Sequence, residues 1–157
     1  MPEIKIPVAT LPKPLEGYGF PEDAGALLPW SHVSGRLAEA RNYWVCTVSS
    51  KLSRAHARPI WGIWVDETLF FGGGPHTAWS RNLRANPLVS IHLEDGNEAV
   101  ILEGSASLIS DDNLMNRLDD VYEAKYDIRH GPPIWQLHPT QALAWQNMQS
   151  VTRFVFD

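Results

Sequence analysis

Cysteine is nearly absent: Cys46 is the only one in 157 residues. No internal disulfide can form, so the fold must rest on its core, and a chain of this length can bury one as a single domain. Cys46 lies in the apolar run Tyr43–Val48. It reads as a buried small hydrophobe, since a reactive thiol needs a cationic, open setting. Positive charge is scarce too. Lys and Arg number 13 against 18 Asp and Glu, a net charge of -5 with His neutral. That balance excludes nucleic acid or an anionic membrane as the expected main partner. No apolar run approaches the length of a membrane span. The N-terminus carries Glu3 among prolines and does not read as a signal peptide, so a cytoplasmic protein is expected.

The familiar catalytic signatures are also missing. There is no G-x-x-x-x-G-K, and Gly72-Gly73-Gly74 runs into Pro75 instead of forming G-x-G-x-x-G. There is no G-x-S-x-G. His32, His56, His76, His92, His130 and His138 are scattered without an H-x-x-x-H pair or a Cys partner. No metal centre is expected from them.

What the chain does have is proline at one end and tryptophan throughout. Pro2, Pro7, Pro12, Pro14, Pro21 and Pro29 rule out regular helix and central strand in residues 1–29. This stretch is expected to be an extended arm, packed across the surface or onto a partner subunit, ahead of a domain at 30–157. A helix is predicted from Trp30 or Ser31 to about Asn42, with Val33, Leu37 and Ala40 on one face and Ser31 or Ser34 as its cap. Strands are predicted at Tyr43–Ser49, Ala57–Val65, Leu69–Phe71, Leu88–Leu93, Ala99–Leu108, Ala142–Trp145 and Val151–Phe156. Ser50–Arg54, Asp66–Thr68 and Asp95–Asn97 supply the turns between neighbouring strands. A short helix ends at Asn86-Pro87. A longer one is capped by Ser110–Asp112 and runs to about Tyr126, with Leu114, Leu118, Val121 and the stem of Lys125 facing inward. Short antiparallel strands with two or three helices make the expected fold mainly β: a small barrel with flanking α-helices.

Three places carry candidate chemistry. Arg58, just before Pro59, either holds a phosphate or ring carbonyl through its rigid donor fork or is an edge-strand arginine paired with a carboxylate. Gly72 to Arg81 is either a phosphate cradle or a plain N-capped loop. In the first case Gly72 and Gly73 admit close backbone approach, Thr77 and Ser80 offer hydroxyls and Arg81 offers charge. Of the seven tryptophans, Trp61, Trp64, Trp79 and Trp145 are the ones read either as stacking surfaces for a planar ring or as core.

In that order of elements the chain resembles the pyridoxamine 5'-phosphate oxidase-like, FMN-binding split-barrel family, in particular its flavin and deazaflavin oxidoreductase branch. The matching stretches are Arg41–Thr47, His56–Gly62, Arg81–Pro87, Val100–Gly104 and Val151–Phe156. The resemblance implies a six-stranded antiparallel split barrel. It also implies a homodimer holding FMN, or an 8-hydroxy-5-deazaflavin coenzyme, at the subunit interface, for redox chemistry on a small-molecule substrate. The ring would lie along Arg58, Pro59, Ile60 and Trp61. The phosphate would lie near Gly72, Gly73, Thr77, Trp79, Ser80 and Arg81, with Trp145 and Arg153 approaching from the C-terminal strands. His56 is the side chain best suited to proton transfer. One departure stands out. Many relatives carry Arg-Lys or Lys in the phosphate-binding turn, where this chain has Ala78-Trp79. The alternative reading is therefore a non-catalytic binding protein for FMN, haem or another planar ligand.

Overall fold

Alternation of apolar residues builds the barrel, and turn chemistry sets its register. The computed structural model describes residues 3–49 and 51–157. Met1 and Pro2 of the predicted arm, and Ser50 of the predicted turn, lie outside the described residues. The strands are β1 (Val8–Thr10), β2 (Tyr43–Ser49), β3 (Arg54–Val65), β4 (Thr68–Gly72), β5 (Leu88–His92), β6 (Val100–Leu108), β7 (Ile134–Ala144) and β8 (Thr152–Val155). The helices are α1 (Trp30–Glu39), α2 (Ala78–Ala85) and α3 (Asp112–Tyr126). All pairings are antiparallel, in the order β1-β8-β7-β4-β3-β2-β5-β6. A further β6–β7 pairing closes β2 to β7 into a six-stranded barrel. No helix among the described residues is long and apolar enough to cross a membrane.

The interior row of β2 is Tyr43, Val45 and Thr47, all buried. Their partners on β3 are Ile60, Arg58 and His56. The β3–β4 hairpin turns through Asp66 and Glu67, both at positive φ (50° and 58°), as a two-residue turn matching strand twist requires. Glu67 then ties the hairpin to α1. Its carboxylate accepts from Trp30 Nε1 at 2.7 Å and from Ser34 Oγ at 2.8 Å.

Several boundaries differ from the sequence reading. Helix α1 stops at Glu39 because Ala40 is already extended, and its N-cap is Pro29, not Ser31 or Ser34. Ser34 is engaged with Glu67 and Trp64 instead. Strand β7 starts at Ile134, eight residues before the predicted Ala142, because His138, Pro139 and Thr140 break its apolar alternation while the β6 pairing continues across one register shift. On α3 the buried face is Leu118, Asp119, Tyr122 and Tyr126, while Leu114 and Val121 pack at its margin. The buried carboxylate of Asp119 has a partner, accepting from Gly131 N–H at 2.8 Å. The arm lies on the chain's own surface. Its residues Val8–Thr10 add β1 to the edge of β8, and Leu28 N–H donates to Thr152 Oγ1 at 2.8 Å.

Candidate functional site

Strand β3 changes neighbours in its middle, and the site lies there. Residues Arg54–Ile60 pair with β2, whereas Trp61–Val65 pair with β4, which ends at Gly72 opposite Trp61. Before Trp61, over Arg54–Ile60, the β4-side edge of β3 is therefore open. Pro59, with no N–H to leave unpaired, suits that open edge. A cavity of about 400 Å³ occupies this split. Pro59, Ile60 and Trp61 line it from β3, Gly72 and Gly73 from the end of β4, and Trp79 from α2. Asn42 and His130 complete the lining.

Trp61 is the main surface of the site. It is 40% exposed, and its indole is stacked on the Tyr126 ring with centroids 4.4 Å apart and planes 4° apart. The Arg41 guanidinium lies 5.6 Å from the Trp61 centroid and 5.2 Å from that of Tyr126. The stack is anchored behind. Tyr126 Oη accepts from Gly62 N–H at 3.0 Å and lies 2.7 Å from the carbonyls of both Arg41 and Gly62, one of which receives its proton. Lys125 Nζ donates to Gly62 O at 2.8 Å and to Tyr43 Oη at 3.0 Å. An indole clamped this way cannot rotate out, so a planar ligand meets a preorganised face.

The same knot gives a pH signature. Burial, with Arg41 adding repulsion, pushes the Lys125 ammonium down to about 8 from 10.5. Burial raises Tyr43, Tyr122 and Tyr126 above the usual phenol range. Between pH 8 and 10.5 the unfolded chain holds the lysine proton more tightly than the folded one, so stability rises with pH there. Above pH 10 the tyrosines reverse the slope, because the folded state then keeps protons that the unfolded state releases. Lys125 is half-buried, and solvent screening reduces its contribution to about 1 kcal/mol. Urea unfolding from pH 7.5 to 9.5 should show that rise in the wild type and a flat profile in Lys125→Met.

The floor of the cavity is set by side chains packed onto glycines. A Cβ at Gly72 would overlap the His130 imidazole, and one at Gly73 would stand 2.6 Å from Trp79 Cζ2. Trp79 is 5% exposed and packs against Phe71 at 5.8 Å between centroids. Its indole thus fills the turn where the family resemblance leads to the expectation of a cation. Among the described residues no Lys or Arg lines the cavity.

The other residues singled out from sequence lie around this centre without lining it. Thr77 is the N-cap of α2, accepting from Ser80 N–H at 3.3 Å and donating to Gly74 O at 2.9 Å. Ser80 is fully buried, and its Oγ has no partner among the described residues. Arg81 donates to His76 O at 2.7 Å, and Arg58 is exposed and donates to Ala57 O at 2.8 Å. Arg58 has no carboxylate partner among the described residues, so the edge ion pair considered above does not form. His56 sits opposite Thr47 with a buried, unpartnered Nδ1. Trp145 follows β7, half-buried, its backbone N–H donating to Ala99 O at 3.1 Å. Arg153 is exposed on β8, with Nε donating to Gln141 Oε1 at 3.0 Å. Trp64 is partly buried and packs against the core, donating to Ser34 Oγ at 3.0 Å.

A closed six-stranded barrel with a cavity at the break in β3 defines a split-barrel protein. The family model described as pyridoxamine 5'-phosphate oxidase matches residues 31–153, and the chain belongs to that family. Its fold is shared by a conserved hypothetical protein from Mycobacterium tuberculosis, at 17% identity and a TM-score of 0.67, over 80% of this chain and 89% of that one. An FAD binding protein from Mycobacterium smegmatis matches at 16% identity and a TM-score of 0.56, over 83% and 98% of the two chains. A heme binding protein from the same organism matches at 19% identity and a TM-score of 0.64, over 82% of this chain but 59% of that one. No curated protein matches.

Proposed function

We propose that the cavity at the β3 break holds the planar ring of a redox cofactor, FMN in the first place, and that the protein is an oxidoreductase for a small molecule. The observation that carries this is the Trp61–Tyr126 stack facing a cavity floored by Gly72 and Gly73. The ring-binding half of the site fits a flavin well. The phosphate-binding half offers only backbone N–H groups, the Thr77 hydroxyl and Arg81, all at the start of α2. A flavin held there would supply hydride chemistry. The chain's own residues would orient it on Trp61 and exclude water with Ile60 and Trp79. The proposed proton-transfer role of His56 requires reach from outside the lining. An 8-hydroxy-5-deazaflavin coenzyme is the variant cofactor.

Dimerisation fits the same reading. The outward row of β2, β3 and β5 carries the parallel Trp44–His92 pair beside Trp61, with Val48 and Leu88 exposed. Trp44 pairs with Pro59 of the cavity lining, so the row adjoins the cavity, and a second copy is the proposed cover. Sedimentation at twice the 17.6 kDa chain mass would agree; a monomer at all concentrations would refute it.

A second reading, binding of haem or another planar ligand without turnover, is favoured by Trp79 filling the turn. It also draws on the fold shared with a protein named for haem binding. Tryptophan quenching by FMN, the deazaflavin coenzyme and ferric haem, in the wild type and Trp61→Ala, tests both readings. Saturable quenching that weakens at least tenfold in Trp61→Ala is expected. Quenching by none of the three contradicts both.

A further inference from the structure

Arg41 stands at the Trp61 end of the cavity, one residue before Asn42 of its lining. Its guanidinium is almost equidistant from the Trp61 and Tyr126 ring centroids, at 5.6 and 5.2 Å. On the free face of Trp61 it would lie much farther from Tyr126 than from Trp61, because the two rings are stacked. It therefore lies alongside the stack, and the free face of Trp61 stays open to a ligand. Its backbone is held in place by the Tyr126 hydroxyl, 2.7 Å from Arg41 O. A cation tethered in this way addresses the edge of whatever lies at Trp61.

The charge there has no counterpart. The Arg41 side chain is exposed, and among the described residues no carboxylate pairs with it. The second cation of the knot, Lys125, donates to neutral acceptors, Gly62 O and Tyr43 Oη. Burial, and then repulsion by Arg41, hold its ammonium low. Two cations that repel each other, with no acid bonded to either, stand out in a chain of net charge -5. An anion brought from outside relieves that repulsion. The flat donor fork of one guanidinium matches the two oxygens of one carboxylate, in a bidentate contact that a point charge does not reproduce.

We propose that Arg41 is the specificity-determining residue of the cavity, binding the carboxylate of a flat carboxylic acid substrate at the Trp61 end. This names the substrate class of that cavity and rests on the planar-ligand reading of it. The test titrates naphthalene carboxylate and its neutral carboxamide into the wild type, Arg41→Gln and Arg41→Lys, following the Trp61 indole resonance. In the wild type the carboxylate should bind roughly fivefold or more tightly than the carboxamide. Arg41→Gln should bring the carboxylate down to the carboxamide and leave the carboxamide's own affinity unchanged, since the Trp61 face is intact. Arg41→Lys, a cation without the fork, should keep only part of the preference. Equal affinities in the wild type, or a preference that survives in Arg41→Gln, would overturn the assignment. So would an equal loss of both probes in Arg41→Gln, because the residue would then only shape the Trp61 face. If neither probe moves Trp61 the carboxylate site is overturned, and FMN titrated in parallel decides whether the planar reading falls with it. A Trp61 shift by FMN alone leaves the planar face standing, whereas no shift by any of the three removes both.

Discussion

Gly104→Ala should destabilise the protein by about 3 kcal/mol, at the upper end of what overpacking costs. The cause is local and lies in backbone. Strands β6 and β7 shift register between Glu103 and Gly104, where Gly104 faces Pro139. A Cβ at Gly104 would overlap the His138 carbonyl and stand 2.7 Å from Pro139 Cα. Neither atom can swing aside as the end of a side chain would. The β6–β7 pairing is also the one that closes the barrel, so the strain cannot be released by fraying a free edge. A thermal melt should fall by roughly 6–12 °C for a chain of this size. Gly35 is the control. It lies inside α1 with nothing within 4 Å of an added Cβ, so Gly35→Ala should leave the melt unchanged or raise it slightly. Equal melts for Gly104→Ala and wild type would show that the β6–β7 irregularity relaxes freely.

Ala78→Arg should strengthen FMN binding by roughly ten- to a hundredfold, the range of one charge-assisted hydrogen bond of about 1.5–3 kcal/mol. Ala78 is the first residue of α2, half-buried, directly after the Thr77 cap. It is one of the two positions where the family resemblance leads to the expectation of a cation for the phosphate. The other, Trp79, is core, and its replacement would cost packing against Phe71 and Gly73. An arginine at Ala78 leaves that packing alone. The gain should shrink as salt rises. Riboflavin, which has the ring without the phosphate, should bind the variant and the wild type equally. A gain shared by riboflavin would place the effect on the ring, and no gain for FMN would mean that its phosphate does not reach the start of α2.

The barrel was largely legible because its strands announce themselves locally. Tyr43–Ser49 was read to the residue, since β-formers alternate and the buried ones fall on one row. The first half of β7 was not, because Pro139 sits at the register shift where a strand tolerates it, a fact of pairing and not of local pattern. The site divides the same way. Pro59, Ile60, Trp61, Gly72, Gly73 and Trp79 follow from the family's strand-to-helix pattern, and all line the cavity. His130 and the Tyr126 ring beneath Trp61 come from α3 and the loop after it, brought in by tertiary packing alone. A signal was available in Tyr122 and Tyr126, an i, i+4 aromatic pair that marks the buried face of α3 better than the Leu114–Lys125 stripe. The glycines carried a double meaning. Their permissiveness was read as space for a ligand, and the structure fills part of that space with His130 and Trp79.

The most direct test of the cavity is a proton–nitrogen correlation spectrum of the tryptophan indoles during ligand titration. The chain has seven, each assignable by a single Trp→Phe variant. With FMN or ferric haem, the Trp61 and Trp79 resonances should move or broaden first and most. Trp30 and Trp64, which pack together on the α1 side of the barrel, should stay in place. A ligand that shifts Trp30 and Trp64 while leaving Trp61 unchanged would place binding elsewhere and contradict the site described here.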